Sequence, residues 1–249
     1  MRKIAIALTK GGVGKTTTAV NLATGLAARG QRILLVDVDT QGQVARSLGI
    51  QPGLGLGELA LGETTISDSV VLARPNLWLL AGGSSLAGLK MTISKREFGG
   101  EQTLSEVLAP FDGEYDFIIL DTAPGWDTLT INVLFYVQEV LAPVSLEVLT
   151  LQGLIDFSAN LSAIKKYHPE LELRYVLPTF LDRRVRKSEE ILQQLESYFG
   201  KKLCAAIRYN VRLSEAPGYG QTIYEYAPAS PGAEDYRKLT ERILKDGRP

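Results

Sequence analysis

Eight consecutive residues carry the sharpest chemical signal in this 249-residue chain: Lys10-Gly11-Gly12-Val13-Gly14-Lys15-Thr16-Thr17. Three glycines let a backbone curl with its N–H groups turned inward and no side chain in the way. A helix opening directly after such a loop adds the positive end of its dipole. Together these hold phosphate. Lys15 is placed to reach the β- and γ-phosphates of a nucleotide, and the Thr16 hydroxyl to ligate Mg²⁺. The ordinary phosphate-loop pattern wants glycine five residues before its Gly-Lys pair, and Thr9 stands there instead. Lys10 is an additional cation at the loop entrance. Its ammonium can reach phosphate within its own subunit or across a dimer interface, stabilising charge on the transferring group.

Two acidic segments complete the chemistry. Phe117-Ile118-Ile119-Leu120-Asp121 is an apolar run ending in a carboxylate, a rigid base that holds an anion near Mg²⁺. Thr122-Ala123-Pro124-Gly125 follows as a loop able to sense the γ-phosphate. Leu34-Leu35-Val36-Asp37-Val38-Asp39 sets two carboxylates two residues apart, which point the same way in extended chain. Hydrolysis needs a group that orients water in line with the γ-phosphate. Asp39 is assigned that role, with Asp37 in supporting electrostatics or metal hydration.

Positioning these groups requires strands that end where the loops begin. The apolar runs predict strands over Lys3–Leu8, Arg32–Val36, Leu77–Leu80, Tyr115–Leu120, Glu139–Pro143, Leu173–Leu177 and Leu203–Ile207. Helical spacing predicts helices over Thr17–Arg29, Gln152–Tyr167, Lys187–Phe199 and Ala233–Lys245, and Gly53–Gly62 reads as loop with at most a short helix. Alternating strands and helices imply an α/β fold, a mostly parallel twisted sheet covered on both faces. Ligands in such sheets bind beyond the carboxyl ends of the strands, where the glycine loop, Asp37 and Asp121 fall. No repeat or linker divides the chain, so residues 1–249 are expected to form one domain.

Composition narrows the function. The chain is 45% hydrophobic and 22% charged, ordinary for a globular protein. A single cysteine, Cys204, closes no intrachain disulfide and builds no cysteine metal site. The one histidine, His168, sits in Lys-Lys-Tyr-His-Pro and reads as a solvated helix end, which leaves a Ser-His-Asp triad or a zinc site unexpected. The apolar N-terminal run is too short for a signal peptide or a span, so a cytoplasmic protein is expected. Formal net charge is −1, which at face value argues against a nucleic-acid partner. The distribution says otherwise. Lys165–Arg212 holds eleven Lys/Arg against six Asp/Glu, so the remainder is acidic.

The loop Lys10–Thr17, the segment Leu35-Val36-Asp37-Val38-Asp39-Thr40-Gln41-Gly42-Gln43 and Asp121-Thr122-Ala123-Pro124 together resemble the ParA/MinD class of P-loop ATPases. The stretch Asn210-Val211-Arg212-Leu213-Ser214-Glu215-Ala216-Pro217-Gly218-Tyr219-Gly220, followed by Tyr226-Ala227-Pro228-Ala229-Ser230-Pro231-Gly232-Ala233, resembles the ParA/Soj partition branch. The resemblance spans nearly the whole chain. It implies a P-loop NTPase three-layer sandwich, with ATP and Mg²⁺ as cofactors. It further implies an ATP-dependent sandwich homodimer with Lys10 contacting the partner's nucleotide, and non-specific DNA binding by that dimer. A ParB-type partner would stimulate slow hydrolysis, so that the cycle partitions plasmid or chromosomal DNA. Nucleoid association in the ATP state goes with this, and no membrane partner.

The same resemblance carries residue roles. Asn210 maps to the nucleotide-base pocket, with Thr179 and Phe180 as further candidates. Arg184 and Arg212 map to DNA contacts, and Arg183, Arg186 and Lys187 add charge beside them. Phosphate contacts of this kind bind DNA in a salt-dependent manner, blind to sequence. The chain departs from the family pattern at three places. Thr40 replaces a proline after the second strand, and Ala123 replaces one in the switch. Ile207-Arg208-Tyr209-Asn210 stands where the family often has Ile-Pro-Arg-Asn. A MinD-like membrane-associated regulator is the alternative. It needs an amphipathic basic tail, whereas Tyr236–Lys245 reads as a packed helix. An iron–sulfur ATPase would need paired cysteines.

Overall fold

The computed structural model describes residues 1–182 and 184–247, with the backbone alone for 148–150. The strands are β1 (Arg2–Ile6), β2 (Ile33–Val38), β3 (Val70–Arg74), β4 (Leu77–Leu80), β5 (Phe117–Thr122), β6 (Glu139–Ser145) and β7 (Glu172–Thr179). The first seven helices are α1 (Lys15–Ala27), α2 (Gln43–Ser47), α3 (Leu56–Leu61), α4 (Ile66–Ser69), α5 (Leu86–Lys95), α6 (Thr103–Leu108) and α7 (Thr128–Tyr136). The remaining five are α8 (Val148–Ile164), α9 (Arg186–Phe199), α10 (Val211–Glu215), α11 (Ile223–Tyr226) and α12 (Pro231–Asp246).

The strands form one sheet in the order β3-β4-β2-β5-β1-β6-β7. Every pairing is parallel except β3 with β4 at the edge. Alternation along the strands splits the core in two. Leu34, Val36, Ile118 and Leu120 point into one layer, against α5, α6, α7, α8 and α9. Ile33, Leu35, Phe117 and Ile119 point into the other, against α1, α2, α11 and α12. Strands buried on both faces read as continuous apolar runs, which is why β2 and β5 stood out in sequence. The result is the three-layer α/β sandwich, with β1, β2 and β5 releasing their C-terminal ends side by side.

Several elements differ from expectation. Leu203–Ile207 is not a strand. It touches the sheet edge through a single bridge to Val176 and backbone bonds from Cys204 to Val176 and Ile207 to Pro178, each 2.8 Å. Its buried residues, Cys204 and Ile207, are three apart rather than two, so the segment crosses the edge instead of laddering along it. The edge strand β3 was not anticipated. It is joined to β4 through Pro75-Asn76, with Asn76 at φ 60°. Helices α2, α4, α5, α6, α7, α10 and α11 likewise lie outside the helices the spacing predicts. His168 is also not solvated as expected: it is half-buried, with Nε2 2.8 Å from the Val137 carbonyl, tying the end of α8 to the entry of β6.

Candidate functional site

The chain leaves β1 into the glycine loop and enters α1 at Lys15. Gly12 and Gly14 have φ of 71° and 86°, the left-handed region that glycine adopts without strain. Gly14 caps α1 with no side-chain hydrogen bond, so the first-turn amides are not taken by a capping side chain. Lys15 is buried, and its Nζ donates to the Lys10 carbonyl at 2.9 Å, closing the loop on itself. Burial pushes the Lys15 ammonium below its usual range, against the opposing pull of Asp121 and Asp39. Val13 is buried in the core and offers its backbone only, with its carbonyl accepting from Thr179 Oγ1 at 3.0 Å. The switch segment lies alongside: Gly125 N–H donates to the Thr9 carbonyl at 2.9 Å, and a Cβ on Gly11 would lie 3.7 Å from Pro124.

The sheet brings two carboxylates together. Asp37 on β2 is in register with Asp121 on β5, and both are buried. Thr16 Oγ1 donates to Asp121 Oδ2 at 2.7 Å, while Asp121 Oδ1 is buried with no partner among the described residues. Burial and the facing Asp37 raise Asp121 well above the carboxylate range. Burial pushes Asp37 up to about 6, against hydrogen bonds from the backbone N–H groups of Asp39 (2.9 Å) and Val44 (3.1 Å). Two adjoining buried carboxylates, one orphaned oxygen and a hydroxyl make a donor set that fits a small divalent cation. The protein offers too few ligands to encage one, and phosphates and waters complete such a shell for Mg²⁺. Asp39 stands outside β2, half-exposed on the cleft wall, with Oδ1 accepting from Gln41 N–H at 3.0 Å.

These residues open onto a cleft of about 700 Å³ lined by Gly11, Gly12, Gly14, Lys15, Thr16 and Thr17. Its other wall includes Thr179, Phe180, Tyr209, Asn210 and Tyr236. Asn210 Oδ1 caps α10 by accepting from Arg212 N–H at 2.9 Å. Its Nδ2 is buried near Gly232 without a partner among the described residues, an amide donor the fold leaves unsatisfied. Phe180 has φ 59°, an uncommon backbone state for a bulky residue.

Lys10 Nζ lies 2.8 Å from Glu147 Oε2 just beyond β6. The basic candidates are exposed and most carry acidic neighbours. Arg184 pairs with Asp182 at 2.7 Å, Arg212 with Glu215 at 2.9 Å and Arg186 with Glu190 at 3.4 Å. The fork from Arg184 holds Asp182 down at about 2. Lys187 is exposed, and Arg183 lies outside the described residues. A bridge between Leu181 and Arg208 sets the Arg184 and Arg212 segments side by side. Arg208, one of the eleven cations, is engaged by Glu234 and Asp235.

Four cleft or near-cleft residues escaped the sequence reading. Lys90 on α5 pairs with Asp127 at 2.6 Å, and both line the cleft. Tyr236 reaches it from α12, more than two hundred residues beyond the loop. Gly82 packs on the end of β2. Its mark in the sequence is the Gly82-Gly83 pair just after the Leu77–Leu80 strand.

Comparisons with known proteins agree with this geometry. A family model described as an AAA domain matches residues 1–173. The chain is 38% identical over 246 residues to the chromosome-partitioning ATPase Soj of Thermus thermophilus, covering 98% of this chain and 96% of that protein. It is 34% identical to the chromosome partitioning protein ParA of Caulobacter vibrioides, covering 100% of this chain and 96% of that one. A solved structure described as cobyrinic acid a,c-diamide synthase from Mycobacterium smegmatis, with bound ADP and magnesium, superposes with TM-score 0.84 at 31% identity. It covers 100% of this chain and 97% of that one. Full-length identity, the variant loop and the paired carboxylates agree: this chain belongs to the ParA/Soj family of P-loop partitioning ATPases.

Proposed function

We propose that residues 1–249 act as one Mg²⁺-dependent ATPase domain that dimerises around ATP, binds DNA without sequence specificity and partitions DNA with a ParB-type partner. The observation that carries the ATPase reading is Asp121, with one oxygen on the Thr16 hydroxyl and the other buried and unpartnered beside Asp37. In this reading Gly11, Gly12, Val13, Gly14 and Thr17 bind phosphate through backbone amides, and Lys15 binds it through its ammonium. Thr16, Asp37 and Asp121 hold Mg²⁺, which supplies charge neutralisation on the phosphates. Asp39 orients water, Asn210 binds the base, and Lys10 acts on the transferring phosphate from within or across the dimer. Hydrolysis is slow until the partner binds.

Arg184 and Arg212, with Arg183, Arg186 and Lys187 beside them, contact DNA phosphates. Dimerisation doubles that surface, which places the protein on the nucleoid only in the ATP state. The membrane-regulator alternative gains no support from α12. Its buried Ala233, Leu239 and Ile243 are spent on the core layer it shares with α1. Among the described residues no helix is long and apolar enough to cross a membrane.

Oligomeric state and DNA binding measured with ADP, ATP and a non-hydrolysable analogue test the proposal. DNA binding is expected with the ATP forms alone, and Arg184→Glu or Arg212→Glu should weaken it by roughly tenfold or more while nucleotide affinity holds. Equal DNA affinity with ADP and ATP would overturn it.

A further inference from the structure

Arg208 lies outside the phosphate-loop chemistry, yet it makes the densest fork in the molecule's C-terminal third. Its Nε donates to Asp235 Oδ2 at 2.9 Å and Oδ1 at 3.1 Å, and its Nη2 to Asp235 Oδ1 at 2.7 Å. The same Nη2 reaches Glu234 Oε2 at 2.8 Å and the Pro231 carbonyl at 3.3 Å. Its backbone N–H bonds Asp235 Oδ2 at 2.9 Å. The Asp235 carboxylate is only 5% exposed while the Arg208 side chain is 36% exposed, so this bidentate, charge-assisted contact is shielded on its acidic side.

The sequence neighbours of this pair give it a role. Tyr209 and Asn210 follow Arg208, Tyr236 follows Asp235, and all three line the cleft. Leu181 accepts from Tyr209 N–H at 3.0 Å and donates to the Ile207 carbonyl at 3.1 Å, which brings in Phe180. Three separate chain segments therefore meet at one ion pair. The wall they build carries exposed aromatic rings, Tyr209 at 61% and Phe180 at 41%, beside the unpartnered amide donor of Asn210. Flat apolar faces with an edge donor suit a heteroaromatic ring, while the cations and carboxylates of the cleft suit phosphate and metal. Residues 207–210 form no regular strand or helix of their own. Such a segment binds well only if its ordering cost is met before the ligand arrives.

We infer that Arg208 is a positioning residue for the nucleobase: its fork to Asp235 fastens the 207–210 segment to the N-terminal part of α12, so that Tyr209 and Asn210 are preset to receive the base. This rests on the reading of the cleft as a nucleotide site. The fork works through planar bidentate geometry, which lysine does not reproduce.

Binding titrations with Mg-ATP, Mg-ADP and Mg-tripolyphosphate, followed by calorimetry, separate this role from a merely structural one. Arg208→Ala and Asp235→Asn are expected to weaken ATP and ADP alike by roughly tenfold, because both nucleotides share the base. Tripolyphosphate, which has no base, should bind the variants as it binds the parent. Arg208→Lys should recover only part of the loss. The double variant Arg208→Met/Asp235→Leu removes both charges, leaves neither one buried unpaired and should show the same base-selective loss. Parent-like nucleotide affinity in folded Arg208→Ala overturns the inference, as does an equal loss for tripolyphosphate. Failure of the parent to bind any nucleotide overturns the nucleotide reading itself, and the inference with it.

Discussion

Asp39 and Asp37 are two residues apart and differ in nearly everything that decides chemistry. Asp37 is fully buried and accepts two backbone N–H groups, whereas Asp39 faces the cleft with its carboxylate accepting from Gln41 N–H. A group that orients water must meet solvent at the reacting end, and only Asp39 does. Asp39→Ala is therefore expected to keep Mg-ATP affinity within about twofold and to lose single-turnover hydrolysis by roughly a hundredfold or more. A parent rate in that assay would remove Asp39 from the mechanism. Cys204 offers a second residue-scale test. Burial pushes its thiol up to about 12, with Arg242 pulling weakly the other way. The folded thiol thus keeps its proton where an unfolded one, near ~8.5, begins to lose it. Iodoacetamide at pH 8.5 should label denatured protein and leave native protein unmodified, read by mass spectrometry. The sign of the linkage follows. A raised folded pKa contributes stability that is fully present below the unfolded value and is lost as pH climbs toward about 12.

At the scale of elements, the end of β2 is held by a close approach. A Cβ on Gly82 would lie 2.6 Å from the Asp37 carbonyl and 2.8 Å from the Asp39 carbonyl, both backbone atoms that cannot turn aside. Gly82→Ala is expected to lower stability by about 1–3 kcal/mol, read as a fall in thermal midpoint. It should also weaken Mg²⁺-dependent nucleotide binding, because the strand that must move carries Asp37. The elements legible in sequence are those with a local signature. The apolar runs of β2 and β5 end in carboxylates, and the glycine loop opens α1 at Lys15, two residues before the predicted start. What stayed hidden depends on distant partners. Tyr236 reads as one apolar position in a helix until α12 folds back on α1, and Lys90 as a surface cation until Asp127 meets it. Leu203–Ile207 has strand composition but lacks the two-residue burial period that would give it a ladder. The base-side wall needed Leu181, Arg208 and Asp235 brought together, and no spacing in the sequence encodes that.

The whole molecule balances charge it does not distribute evenly. A formal net charge of −1 coexists with a cationic excess between Lys165 and Arg212, part of which is neutralised within the fold by Asp235, Glu215 and Asp182. A single copy thus presents only part of that excess unpaired, and a DNA-binding form should gain from two copies acting together. The logarithm of DNA affinity in the ATP-analogue state should fall linearly with the logarithm of salt, by roughly 0.9 per phosphate contacted. Arg212→Glu should flatten that slope, and a salt-independent affinity would refute a phosphate-contacting surface.

The registered pairing of Asp37 with Asp121, and of Ile6 with Asp121 on the other side, has a consequence for how the chain is built. Slipping either strand by one residue turns its carboxylate to the opposite face of the sheet. Both faces are apolar, so a slipped strand still finds grease, and burial alone is a poor inspector of the error. Ligand binding is a better one. If Asp37 and Asp121 hold the cation as proposed, a miswoven copy would have no place for it, would gain nothing from the nucleotide pool by mass action, and would be left exposed to unfolding and proteolysis. The site that serves the finished protein would then also grade its assembly, copy by copy, as each emerges.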